Sequence, residues 1–189
     1  MLPTSPKLSE NAYRLLALSD APYRQLVVCT PGAPGARELA VTDQTDLINT
    51  RPADLLMLRG IACGIWLWND HLDEAHKLAQ SIETETGAFW HAIMHRREGD
   101  FANAKYWYGR CRNHPVLQAL ASQSSLVLDD LPSDNRLVKL TVDGWQSDHL
   151  VDLIEAHAKP EGEEEFAEVL VVLQQLEWRV LLEYCVAMA

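Results

Sequence analysis

Several kinds of chemistry are missing from this chain of 189 residues. It has no glycine-rich phosphate loop, no C-x-x-C pair of zinc-finger spacing and no G-x-S-x-G elbow, which argues against nucleotide handling, structural zinc and the usual serine nucleophile. The four cysteines, Cys29, Cys63, Cys111 and Cys185, lie far apart, and the last three sit among apolar helical neighbours. Buried reduced thiols of a cytoplasmic protein are expected. Basic residues are few, 16 against 27 acidic, and a net charge of −11 repels a phosphate backbone, so no nucleic-acid partner is expected. Long hydrophobic runs are also lacking. The longest, "LLMLRGIACGIWLW" (55–68), contains Arg59 and falls short of the roughly 20 residues of a membrane span, so it reads as a core helix. The opening "MLPTSPKLSENAYRLLALSD" places prolines and polar residues where a signal peptide needs a basic start and an apolar run.

What is present is a large apolar complement, 48% hydrophobic with six tryptophans, enough for one domain over 1–189. The patterning predicts an all-α fold of stacked helical hairpins closed by a long C-terminal helix. Residues 1–50 are partly irregular, because "CTPGAPGARE" (29–38) holds prolines and glycines that no helix survives. A helix is expected to open near Thr50 to Pro52 and run to Trp68, with Asn69 or Asp70 capping a second that carries Leu72, Ala75, Ala79 and Ile82. A third helix is expected from Ala88 to Glu98, stopped by Gly99, and a fourth from Asp100 to before His114. Between 116 and 145 the pattern is weaker. "DDLPSDN" (129–135) reads as a turn, and "RLVKLTVDGW" (136–145) is read as helix with a short strand as the alternative. A helix around Leu150 to His157 and the acidic loop "KPEGEEE" (159–165) precede a last helix, Phe166 to Tyr184, with three-four apolar spacing.

The stretch "FWHAIMHRREGDFANAKYWYGR" (89–110) concentrates the chemistry. On a helix, His91, His95 and Glu98 share one narrow sector beside a separate apolar face of Trp90, Ile93 and Met94. The preceding helix offers Asp73 and His76, also on one face, with Glu74 as a further acid. Antiparallel packing brings the two sets together, and imidazole with carboxylate suits zinc, iron or manganese. The alternative is that the histidines hydrogen-bond acids and backbone across the hairpin. A second reading starts from the cations. Arg96, Arg97, Lys105, Arg110 and Arg112 cluster in an otherwise acidic chain, and with Tyr106, Trp107 and Tyr108 they form a positive aromatic patch suited to a small anion or an acidic peptide; the alternative is that these cations pair with the chain's own carboxylates while the aromatics pack in the core.

The junctions "NDHLDEA" (69–75) and "GDFANA" (99–104) resemble the turn of the tetratricopeptide repeat over residues 55–115, although Ala75 and Ala104 are 29 residues apart where that repeat has about 34. The segments Asp70 to His76, Trp90 to Glu98 and Asn103 to Trp107 resemble a family of uncharacterised helical bacterial proteins that carries D-x-L-D-E-(S/A)-H, W-H-(G/A)-I-(M/L)-H-R-R-E and N-A-K-Y-W. That resemblance implies a shared helical fold and no particular activity. The functional expectation is a helical binding module without a cofactor, whose partners are a second copy of itself, an acidic peptide or a small anion. The alternative is a metal-dependent enzyme using the histidine and carboxylate set. Six tryptophans in a short chain suggest more apolar surface than one core needs, hence a homodimer.

Overall fold

Asp54 starts the central layer. Its carboxylate accepts from the backbone N–H groups of Leu56 at 2.7 Å and Met57 at 3.4 Å, satisfying donors that a first helical turn leaves unpaired. The helix therefore begins at Leu55 and not near Thr50 to Pro52. A computed structural model describes residues 2–18, 23–29, 36–129, 134–158 and 163–189. The helices are α1 (Glu10–Leu16), α2 (Ala36–Val41), α3 (Leu55–Trp68), α4 (Leu72–Gln80), α5 (Glu85–Glu98), α6 (Phe101–Tyr108), α7 (Val116–Asp129), α8 (Asn135–Val138), α9 (Ser147–His157) and α10 (Glu164–Met188). A 3-10 turn covers Gln44–Leu47. Among the described residues there is no strand, only isolated bridges between Leu8 and Ile48 and between Val142 and Gly144. The fold is all-α.

Helix α3 packs against α4, α4 against α5 and α5 against α6, and α10 lies against α3, α7 and α9 while α6 meets α9. Ala75 and Ala104 are fully buried at the helix contacts where small residues were expected. Trp178 of α10 donates its indole N–H to the Gly64 carbonyl at 2.7 Å and stacks on Trp68 at 4.1 Å, fastening the long helix to α3. One hydrophobic cluster runs from Leu8 to Ala189. Trp68, Trp90, Trp145 and Trp178 are buried and Trp66 and Trp107 half-buried, so none of the six tryptophans is fully exposed. No helix among the described residues is long and apolar enough to cross a membrane.

Several boundaries differ from the expectation for local reasons. The residue before α4 is His71, because Asn69 turns its amide to the carbonyls of Leu15 and Ile65 and Asp70 adopts a positive φ of 59°. The first turn of α5 opens at Glu85, where a carboxylate favours the helix N-terminus. The segment 136–145 contains the end of α8 and then a turn around Gly144, with the single bridge in place of a strand. Residues 30–35, 130–133 and 159–162, which hold most of the three expected loops, lie outside the described residues. Glu164 and Glu165 belong to the first turn of α10.

Candidate metal centre

His91 and His95 lie one turn apart on α5 and His76 faces them from α4. One ring nitrogen from each of the three lies within 4.8 Å of the others. Ring centroids are 4.6 Å apart for His76 and His91, 5.3 Å for His76 and His95, and 4.8 Å for His91 and His95. His91 and His95 are buried and His76 is half-buried, so the cluster is open on the α4 side. The placement depends on the end of α5. There Gly99, at φ 88°, takes the left-handed turn, while the Asp100 N–H donates to the His95 carbonyl and the Gly99 N–H to that of Arg96.

The hydrogen bonds assign lone pairs. His95 Nδ1 lies 2.5 Å from Glu98 Oε1, and since a carboxylate oxygen accepts, Nδ1 donates, so that in the neutral ring Nε2 is the nitrogen with the lone pair. This is the arrangement by which outer carboxylates orient metal-binding imidazoles. His91 Nε2 is buried with no hydrogen-bond partner, and its ring stacks on Trp107 at 4.0 Å. Burial, reinforced by His95 and His76, pushes the His91 imidazole down to about 4. Burial and then His95 lower His76 as well. Both rings are neutral at pH 7, the form that binds a metal.

The remaining candidates separate. Glu98 stands behind His95 as its hydrogen-bond acceptor; with His95 and Asp100 it forms a second, more exposed grouping at the same helix end. Asp73 is exposed and Glu74 lines a different cleft, beside Lys77 and Leu78, so neither joins the three imidazoles. The continuous positive patch expected from the arginines does not form, because Arg96 and Arg97 point into the core and are fully buried. Arg96 donates to Glu177 at 2.5 Å and to Tyr108 at 2.6 Å. Arg97 pairs with Asp70, donates to the Gln25 carbonyl at 2.7 Å and lies 3.7 Å from the Tyr23 ring centroid. Lys105 pairs with Asp152. Only Tyr106, Trp107 and Arg110 of that set remain together, with the Arg110 guanidinium 5.9 Å from the Tyr106 ring and 5.5 Å from the Trp107 ring.

A cleft of about 520 Å³ opens beside the imidazoles, lined by Gln80, Glu83, Glu85, His91, Trp107 and Arg110 among others. Below it runs a buried polar core that sequence reasoning missed. Glu177 is fully buried and accepts from Arg96, from Tyr108 at 2.9 Å and from the Trp145 indole at 3.3 Å. Burial is the largest influence and lowers the Arg96 guanidinium, but the charge of Glu177, the phenols of Tyr108 and Tyr23 and the hydrogen bond to Glu177 together outweigh it and hold the group above its ordinary range. A signal was available. Glu177 stands four residues after Leu173 and three before Val180, squarely on the apolar stripe of α10, where a carboxylate must have a buried partner.

Fold and site together define an all-α protein with three convergent imidazoles beside a cleft. Set against protein-family models, curated proteins and solved structures, the chain matches none.

Proposed function

We propose that this is a metal-binding protein in which His76, His91 and His95 hold one divalent transition-metal ion, zinc foremost, in an open site suited to metal-assisted hydrolysis. The observation that carries this reading is the buried, unpartnered His91 Nε2 within a cluster of three imidazoles drawn from two helices. An orphaned buried polar atom costs about 1–3 kcal/mol, a cost that coordination removes. Ligand nitrogens about 2.0–2.1 Å from zinc stand roughly 3.4 Å from one another in a tetrahedron, so modest side-chain rotation closes the observed cluster around an ion.

With the carboxylates outside the first shell, an all-imidazole set favours zinc over manganese, which prefers oxygen ligands. Three protein ligands leave a fourth position for water, whose pKa zinc lowers to about 7. Glu98 holds the His95 tautomer, and Trp107 covers one side of His91 and limits water there. The test is metal content in protein purified without a His tag or chelator, alongside His91→Ala and His95→Ala whose helicity is checked by circular dichroism. The expected result is one equivalent in the parent, lost in both folded variants. Substoichiometric metal in the zinc-incubated parent, or equal metal in the variants, overturns the reading.

A further inference from the structure

Four of the five cations between residues 96 and 112 have a carboxylate of their own: Arg96 with Glu177, Arg97 with Asp70, Lys105 with Asp152 and Arg112 with Asp148. Arg110 has no such partner among the described residues. It is exposed, donates to the Tyr106 hydroxyl at 3.3 Å and lies over the Trp107 ring, the ring that also stacks on His91. Arg110, Trp107 and His91 line the same cleft, so a molecule there meets a guanidinium, an indole and one imidazole of the histidine cluster.

Charge selects the molecule. Glu83 and Glu85 also line the cleft, so the site without an ion carries a net negative charge, two carboxylates against one guanidinium. A divalent ion held by the imidazoles adds two positive charges and so reverses that sign, leaving a net excess of one. Dianions remain disfavoured next to two glutamates, whereas a monoanion is matched. A planar carboxylate also fits the bidentate fork of Arg110. We infer that the cleft takes a small carboxylate monoanion, its carboxylate held by Arg110 beside Trp107 and a second polar group of the same molecule directed at the ion. This inference rests on the metal-binding reading. The two ligands are coupled, since an ion raises affinity for the anion and the anion raises affinity for the ion by the same factor.

The experiment uses cobalt(II)-loaded full chain titrated with 3-hydroxypropionate, whose carboxylate and hydroxyl supply the two groups, and follows the visible cobalt bands. The expected result is a saturable band change, with affinity weakened by about tenfold or more in Arg110→Gln, equivalent to loss of one charge-assisted contact. The cobalt bands of unliganded Arg110→Gln are expected to match the parent, and calorimetry on metal-free protein is expected to show no binding. Unchanged affinity in Arg110→Gln, or equal binding to metal-free protein, overturns the inference while leaving metal binding intact. Sulfate, a dianion at neutral pH, binding as tightly as the hydroxy acid overturns the choice of a monoanion. Absence of cobalt bands defeats the metal-binding reading itself, and this inference with it.

Discussion

Consecutive residues on a helix project about 100° apart, so Arg96 and Arg97 cannot share a partner and each needs its own. Arg96 finds Glu177, and Arg97 finds Asp70 and Tyr23. Asp70 and Tyr23 are also the two non-glycine residues with positive φ among those described, 59° and 55°, a backbone conformation held in place by these contacts. Breaking a buried pair leaves a charge without compensation. Glu177→Gln, which keeps the shape and removes the charge, is therefore expected to lower stability by about 3 kcal/mol or more in urea titrations; a loss within the error of the extrapolation would rule out an energetic role for the pair. His114 gives a second prediction. Its Nδ1 accepts from the Val116 N–H at 3.2 Å, which fixes the proton on Nε2 beside the Thr86 hydroxyl at 3.0 Å. Burial pushes this imidazole down to about 4. The folded state then binds fewer protons than the unfolded one, so the group's contribution is complete above about pH 6.5 and is lost as pH falls toward 4, with a slope of up to about 1.4 kcal/mol per pH unit. The stability gap between parent and His114→Asn is expected to narrow from pH 7 to pH 5, and a constant gap would refute the assignment. At this scale the histidine trio was legible, because helical spacing aligns His91 with His95. The arginine partners were not, because Asp70 is 27 residues away from Arg97 and Glu177 is 81 from Arg96.

Helix α5 is polar on most of its faces and yet buried on nearly all of them, from Thr86 to Arg97. The apolar face of Trp90, Ile93 and Met94 covers only part of its circumference and does not announce burial of the rest. Its identity was legible from the Gly99 stop and the Asp100 cap, whose carboxylate accepts from the Asn103 N–H at 3.1 Å. Its burial was not, because that depends on α4, α6 and α3 closing around it and on the segment 23–29, where the Val28 N–H donates to the Arg97 carbonyl at 2.8 Å. The start of α5 is tightly constrained. A Cβ on Gly87 would collide with the backbone carbonyl of Ile82, a neighbour that cannot rotate away. Gly99 instead needs only its positive φ, and the nearest atom to a Cβ there is a Val27 methyl at 3.3 Å. Gly99→Ala is thus expected to cost somewhat more than about 1 kcal/mol, the penalty of placing a side chain at positive φ. Gly87→Ala is expected to cost more than Gly99→Ala, because the turn between α4 and α5 must shift. Thermal unfolding of the two variants side by side checks the order, and the reverse order would show that the turn relaxes freely.

For the whole molecule, the all-α class and the long closing helix followed from periodicity, since α10 carries its apolar residues at three-four spacing over its length. Which faces remain available for partners did not follow, because Arg96 and Arg97, two of the five expected cations, are consumed inside the core. What survives is an imidazole cluster that joins α4 to α5, so the proposed metal binding would depend on the fold as a whole. An ion that bridges two helices binds the native state and loses its site when they separate, so it stabilises by mass action. At a hundredfold excess over its dissociation constant the gain is about 2.7 kcal/mol. For a chain of this size each kcal/mol moves the midpoint by about 2–4 °C, so zinc is expected to raise Tm by about 5–10 °C. The same addition to His91→Ala or His95→Ala is expected to move it far less, because two imidazoles hold the ion more weakly and a bridge resting on fewer ligands is weaker in turn. Arg110→Gln is expected to keep the full zinc response, since its guanidinium contacts no imidazole of the trio. Scanning calorimetry with zinc and with chelator on these four proteins separates the possibilities. A parent that shows no shift, or histidine variants that shift as much as the parent, would mean that the three rings are there to pack and not to coordinate.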